Sequence, residues 1–273
     1  MLRLSVGNPK FKSTIRHFTA ALRIQARCLY ALMIRQMMLR YGRDNLGFLW
    51  VFVEPMLLCT GVMIIWSLIR DSYEHGIGII QMALTGYMPL TLWRHLTNSG
   101  VFVFRASINL LYHPYVSLLD AFFTRIALEF VGTTAAFVLV AGTLMATGLI
   151  DPPEDLGLIA AGWMLMGLLS TGVAILISVL TESSEISERF IPVFQYLALP
   201  LCGCFYLVDW LPTYAQKMAW FIPTVHCYEM IRAGFFGNSV ETYYDAWYPA
   251  AWGFGLFALG VGLIENVRDR IHA

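Results

Sequence analysis

The chain has 273 residues, of which 58% are hydrophobic and 13% charged, and its mean hydropathy is +0.63. A water-soluble fold of this length cannot hide so much apolar surface, so the composition points to an integral membrane protein. The formal net charge is zero, which argues against a nucleic-acid partner.

Residues 1–21 are polar and basic and read as a cytoplasmic tail; they are too polar for the apolar core of a cleavable signal peptide. Within 22–45, Leu22, Ala26, Leu29, Met33 and Met37 recur at helical spacing, while Arg23, Arg27 and Arg35 fall off that stripe. This pattern predicts an amphipathic helix lying along the membrane surface. Arg40 would land on the stripe, so the helix is expected to end or bend before Gly42.

A single membrane domain is expected over 46–265, with six crossings. They are Leu46–Ile69, Ile77–Trp93, Leu118–Ile150, Leu156–Leu180, Phe190–Val208 and Trp247–Ile264. The third exceeds the roughly 20 residues of one straight crossing. Its front part, with Asp120, Arg125 and Glu129, reads as a cytoplasmic lead-in. The first carries Glu54 and Pro55; a charge near the bilayer centre costs about 2.5–3.5 kcal/mol, so it should face protein or water. Six crossings place both termini on one side. Fifteen of the eighteen Lys and Arg residues then fall on the side assigned as cytoplasmic, including the end at 266–273. That is the bias expected of cytoplasmic termini. The fold class is therefore an all-α integral membrane protein.

Two stretches lie between crossings. Residues 105–117 (RASINLLYHPYVS) form a cytoplasmic link with a short helical pattern stopped by Pro114. Residues 209–246, on the outer side, are apolar for a loop. Trp220, Phe221 and Ile222 precede Pro223, and Thr224 is placed to cap a helix in which Glu229 and Arg232 are three apart and Gly234 and Gly237 mark the end. Two apolar helices broken by Pro223 suggest a re-entrant hairpin, allowed where protein buries the backbone or a cavity borders it.

Catalytic signatures are absent: no phosphate-cradling glycine loop, no nucleophile elbow, no zinc-protease helix and no paired-cysteine motif. The five cysteines have no metal-ligand spacing, and Cys202 and Cys204 read as small packing residues. Glu54 and Glu129 could serve an intramembrane acid–base site; helix–helix hydrogen bonding is at least as good a reading of each.

The basic amphipathic helix, the stretch RYGRDNLGFLWVFVEP, the link NLLYHP and the outer PTVHCYEMIRAGFFG together resemble the type-2 ABC permeases that export polysaccharides. Within them the chain is most similar to the capsular polysaccharide exporters of the Gram-negative inner membrane. The resemblance runs from about Ala20 to the C-terminus. It implies a homodimer working with two copies of a separate ATPase subunit, which would hold the ATP and Mg; no cofactor is expected in this chain. It leaves room for periplasmic and outer-membrane export partners. Asn109, Tyr112, His113 and Pro114 would dock on the ATPase, with Glu182, Glu185 and Glu188 as a smaller second contact; a plain connecting loop and a solvated acidic turn are the simpler readings.

Similar permeases line their conduit with the first and fifth crossings. A glycan needs a wet path with aromatic faces for its sugar rings. Trp50, Glu54, Phe194, Tyr196 and Phe205 are the candidates; an aromatic stripe is more often packing than a track. Trp220, Phe221, Tyr228, Glu229, Arg232 and Phe235 are candidate gate residues of the outer hairpin, with interfacial anchoring as the simpler role. Rival functions are an ABC permease for a drug or small lipid, an integral membrane transferase, and a membrane subunit with no transport role.

Overall fold

Helices take up most of the described residues, because a backbone in hydrocarbon has only itself to bond to. The computed structural model describes residues 23, 25–38, 46–69, 73–74, 77–101, 103–104 and 117–271, and the side chains within them except at 46–52, 73–74, 185 and 265–271. Helix α1 covers residues 25–38. Then come α2 (Leu46–Ile69), the strands β1 (Tyr73–Glu74) and β2 (Ile77–Gly78), α3 (Ile79–Gly100), α4 (Leu118–Ala146) and α5 (Leu156–Ser183). The chain ends with α6 (Glu185–Ala198), α7 (Thr213–Ala219), α8 (Pro223–Phe236) and α9 (Trp247–Ile271). The two strands pair antiparallel, Tyr73 opposite Gly78 and Glu74 opposite Ile77.

Helix starts follow local chemistry. Ser117 and Asp120 cap α4 reciprocally, each side chain accepting from the other's backbone N–H. Asp155 Oδ1 accepts from the N–H groups of Gly157 and Leu158 at 2.8 and 3.0 Å and starts α5. Within the helices, hydroxyls are satisfied locally. Thr85, Thr91 and Thr97 donate to carbonyls four residues back at 2.9, 2.7 and 2.7 Å, and Ser170 and Ser178 do so at 2.6 and 2.8 Å.

Helix α5 is the hub, packing on α9, α8, α3 and α6. Small residues allow the approach. A Cβ on Gly172 would stand 2.6 Å from the Gly253 carbonyl oxygen of α9, and one on Gly100 would stand 2.3 Å from the Ala174 carbonyl oxygen. Such close backbone contact is how helices associate in lipid, where the hydrophobic effect offers no drive between them. Outward, α2, α4 and α9 carry exposed Leu57, Ile64, Leu68, Val131, Val138 and Leu259, a surface suited to acyl chains.

Among the described residues, three helical segments are long and apolar enough to cross a membrane: Leu118–Ala146, Leu156–Ser183 and Trp247–Ile264. The predicted fifth crossing is not one helix. Helix α6 stops at Ala198, and the chain turns through Pro200 and Gly203, whose φ is +93°. Proline has no N–H to continue a helix, and a positive φ suits glycine. The cap of α8 also differs from expectation. Pro223 takes the first helical position, Ile222 is the N-cap, and Thr224 Oγ1 donates to the Cys202 carbonyl at 3.1 Å instead. Gly234 lies inside α8, which runs to Phe236 before Gly237 at φ +52°. The stripe on α1 is rotated slightly: Leu32 is its most buried residue and Ala26 is exposed.

Candidate functional site

Helix α6 has two distinct faces. Ser187, Ile191, Gln195 and Ala198 turn inward, and Gln195 Nε2 donates to Thr97 Oγ1 on α3 at 3.0 Å. Phe190, Val193, Phe194, Tyr196 and Leu197 are exposed. Of the predicted path residues, Phe194 is 71% and Tyr196 60% exposed, and the guanidinium of Arg94 lies 5.5 Å from the Tyr196 ring centre. Glu54 is exposed on α2. The side chain of Trp50 lies outside the described residues. Phe205 sits apart from this face, half-buried against Trp66 and Tyr87 at centroid distances of 6.4 and 5.8 Å. Between α6 and the α3–α5 wall runs a cavity of about 570 Å³ lined by Trp93, Ile177, Leu180, Phe190 and Phe194. A second, of about 370 Å³, continues toward the hairpin between Trp93, Gln195, Phe221 and Trp252.

The predicted gate residues divide into two groups. Trp220 and Phe221 are 43% and 74% exposed at the joint between α7 and α8. Tyr228, Glu229, Arg232 and Phe235 are buried, so they are interior braces and not surface contacts. Arg232 donates to the carbonyls of Gly203 (2.8 Å), Cys204 (2.7 Å) and Tyr206. Glu229 accepts from the backbone N–H groups of Val208 at 3.2 Å and Tyr243 at 3.1 Å. The predicted spacing of three therefore serves two backbone clamps from one face of α8, both reaching the 203–208 segment and Glu229 reaching Tyr243 as well. Among the described residues, the Tyr228 hydroxyl and Arg232 Nε find no hydrogen-bond partner, though both are buried. Further out, Tyr243 donates its hydroxyl to Glu241, which holds the phenol pKa above its ordinary value.

His226 was not singled out by the sequence. Its Nδ1 accepts from the Asp245 N–H and its Nε2 faces the Trp220 carbonyl, both at 2.9 Å, which requires the proton on Nε2. The ring packs on Trp220 and Tyr248 at 4.7 and 5.1 Å. Its position one turn after Pro223 was the available signal. Glu129, weighed as an acid–base group, is buried with an oxygen 3.0 Å from His95 Nδ1, an interhelical bond between α4 and α3; Glu54 lies elsewhere, on α2.

Of the coupling residues, Asn109, Tyr112, His113 and Pro114 lie outside the described residues, as does the side chain of Glu185. Glu182 is half-buried in the last turn of α5, and Glu188 is half-buried on α6. Among the described residues no group of three or more His, Cys, Asp or Glu could hold a metal ion.

A bundle with a half-length helix, a braced α7–α8 hairpin and an exposed aromatic face suits passage. The family model described as ABC-2 type transporter matches residues 27–236. The chain belongs to the ABC-2 type transporter family. This ABC-2 protein is 36% identical over 255 residues to the capsule polysaccharide export inner-membrane protein CtrC of Neisseria meningitidis serogroup A, covering 93% of this chain and 96% of the relative. It is 33% identical to the capsule polysaccharide export inner-membrane protein BexB of Haemophilus influenzae over the same shares. A more distant ABC-2 relative, the polysialic acid transport protein KpsM of Escherichia coli, is 24% identical over 88% of this chain and 92% of its own length.

Proposed function

We propose that this chain is the membrane permease subunit of an ABC exporter that moves capsular or related polysaccharide across the bacterial inner membrane. The observation that carries the reading is the 36% identity to a capsule polysaccharide export inner-membrane protein over 93% of the chain. ATP and Mg belong to a separate ATPase subunit, present in two copies on a permease homodimer. Asn109, Tyr112, His113 and Pro114 dock on it, supplemented by Glu182 and Glu185. Both termini are cytoplasmic. The path for the glycan runs beside α2 and α6, with Trp50, Glu54, Phe194 and Tyr196 along it and Phe205 supporting the wall from behind. Exposed aromatic rings support this assignment, because they stack on the C–H faces of sugars while Glu54 and water take the hydroxyls.

The outer hairpin α7–α8 is re-entrant and closes the path, with Trp220 and Phe221 as its movable edge. Support comes from the turn after α6. Irregular backbone at membrane depth must find its partners in protein, and Arg232 and Thr224 together bond the carbonyls of Cys202, Gly203, Cys204 and Tyr206.

Deletion of the gene in an encapsulated host tests the reading. Surface polysaccharide should disappear, polymer should accumulate inside the cell, and the cloned chain should restore export. Normal surface polysaccharide in the deletion strain, with a drug or lipid retained instead, would favour a small-molecule exporter.

A further inference from the structure

Helix α1 meets the membrane bundle through one face. Gln25, Leu29, Leu32 and Gln36 follow at spacings of four, three and four, which places them on one side of a helix. Leu32 is 5% exposed, and Leu29 and Gln36 are half-buried, while Arg23, Arg27 and Arg35 are exposed. Gln25 and Gln36 stand about 16 Å apart along the axis at 1.5 Å per residue. Even so, both reach the same turn of α4. Gln25 Nε2 donates to Asp120 Oδ1, and Gln36 Nε2 donates to the Ala121 carbonyl at 3.5 Å.

Asp120 is committed on its other side as well. Its Oδ2 accepts from the Ser117 N–H at 2.9 Å, and its own N–H donates to Ser117 Oγ at 3.1 Å. Its carbonyl accepts from Thr124 Oγ1 at 2.5 Å. Asp120 is 8% exposed, so water competes little at its carboxylate, while Gln25 itself is exposed and its bond to Asp120 is part-buried. Ser117 is the last residue of the 105–117 link. One carboxylate therefore ties together the end of that link, the first turn of α4 and the surface helix α1.

We propose that Asp120 is a positioning residue, holding α1 and the start of α4 as one unit so that force applied to 105–117 moves both. This rests on the reading of the chain as a permease driven by a separate ATPase. The consequence is a second route for the stroke. Motion reaches α2 by its packing on α4, and also along the chain, because α1 is the helix before it in sequence, with residues 39–45 between them. Gln25 is the partner that joins the second route to the first.

Gln25→Glu tests the tie by setting a carboxylate against Asp120. Asp120→Asn should be tolerated: the Gln25 amide can turn to accept from the new Nδ2, and the remaining oxygen, in the place of Oδ2, takes the Ser117 N–H. In the double variant Gln25→Glu/Asp120→Asn, the glutamate accepts from that Nδ2 and the tie returns. The full-length permease is reconstituted in liposomes with its ATPase, and polymer moved per ATP hydrolysed is measured. Gln25→Glu should lower this ratio by about fivefold or more while ATP hydrolysis continues, and the double variant should recover it. In the same purified permease without ATPase, Gln25→Glu should speed amide exchange at 25–38 and 117–121, and the double variant should slow it again. A wild-type ratio in Gln25→Glu, or a loss that Asp120→Asn does not rescue, overturns the proposal. If the wild-type complex moves no polymer, the permease reading fails; unchanged exchange in Gln25→Glu then overturns the tie by itself.

Discussion

Arg232 is the largest fully buried side chain among the described residues, and its guanidinium serves carbonyls and not a carboxylate. A planar fork of donors fits several acceptors at once, where a lysine offers one point charge. Arg232→Met would strand the carbonyls of Gly203, Cys204 and Tyr206. Each buried unbonded group costs about 1–3 kcal/mol. The variant should therefore unfold at lower temperature in detergent and accumulate poorly in the membrane, and Arg232→Lys should fall between it and wild type. If Arg232→Met is made in normal amounts, unfolds normally and blocks export, Arg232 acts on the substrate and the brace is wrong. The sequence showed that Glu229 and Arg232 share a helical face. It did not show their partners, because those are backbone atoms. The acceptors of Arg232 lie 26 to 29 residues away in the chain, and a carbonyl leaves no trace in residue type. The same holds for His226, whose partners are the backbone of Trp220 and Asp245.

Helix α6 shows where periodicity informs and where it misleads. Phe190, Phe194, Leu201 and Phe205 recur at intervals that would put them on one stripe of a single continuous helix. The stripe is genuine as far as Ala198, and there the helix ends, so Phe205 is carried away by the turn and packs with Trp66 and Tyr87. The breakers Pro200 and Gly203 were visible, but a run so apolar reads as a crossing when hydropathy is weighed first. The long helices were legible throughout, since α2, α4, α5 and α9 begin where their apolar runs begin. Substitution separates the two kinds of aromatic. Phe194→Leu and Tyr196→Leu remove exposed rings, so thermal stability should hold while export falls, read as surface polysaccharide per permease. Phe205→Leu should do the reverse, losing about 0.5–1.5 kcal/mol of ring contacts with export per folded molecule kept. Normal export from a Phe194→Leu/Tyr196→Leu double variant would take that face out of the path.

At the scale of the whole molecule, orientation depends on the region from 190 to 212. The other expected crossings number five, α2, α3, α4, α5 and α9, and an odd number would put the two termini on opposite sides. Helix α6 has 14 residues, so at 1.5 Å per residue it spans about 21 Å, short of a hydrocarbon core of about 30 Å. For the chain to cross here, the turn 199–207, which has no helix of its own, would have to cover the remaining third. That is physically acceptable only because α8 supplies bonds to those carbonyls, which makes the brace at Arg232 a condition of the topology as well as of the hairpin. The distribution of Lys and Arg favours the sixth crossing. Single introduced cysteines decide it. Arg189 and Lys217 are both exposed, whereas Cys28 is half-buried and Cys59, Cys202, Cys204 and Cys227 are buried, so native labelling should be low. In spheroplasts, Lys217→Cys should react with a membrane-impermeant maleimide, and Arg189→Cys should react only after lysis. Labelling of both from the same side would mean that 190–212 enters and leaves by one face, and that the termini lie on opposite sides of the membrane.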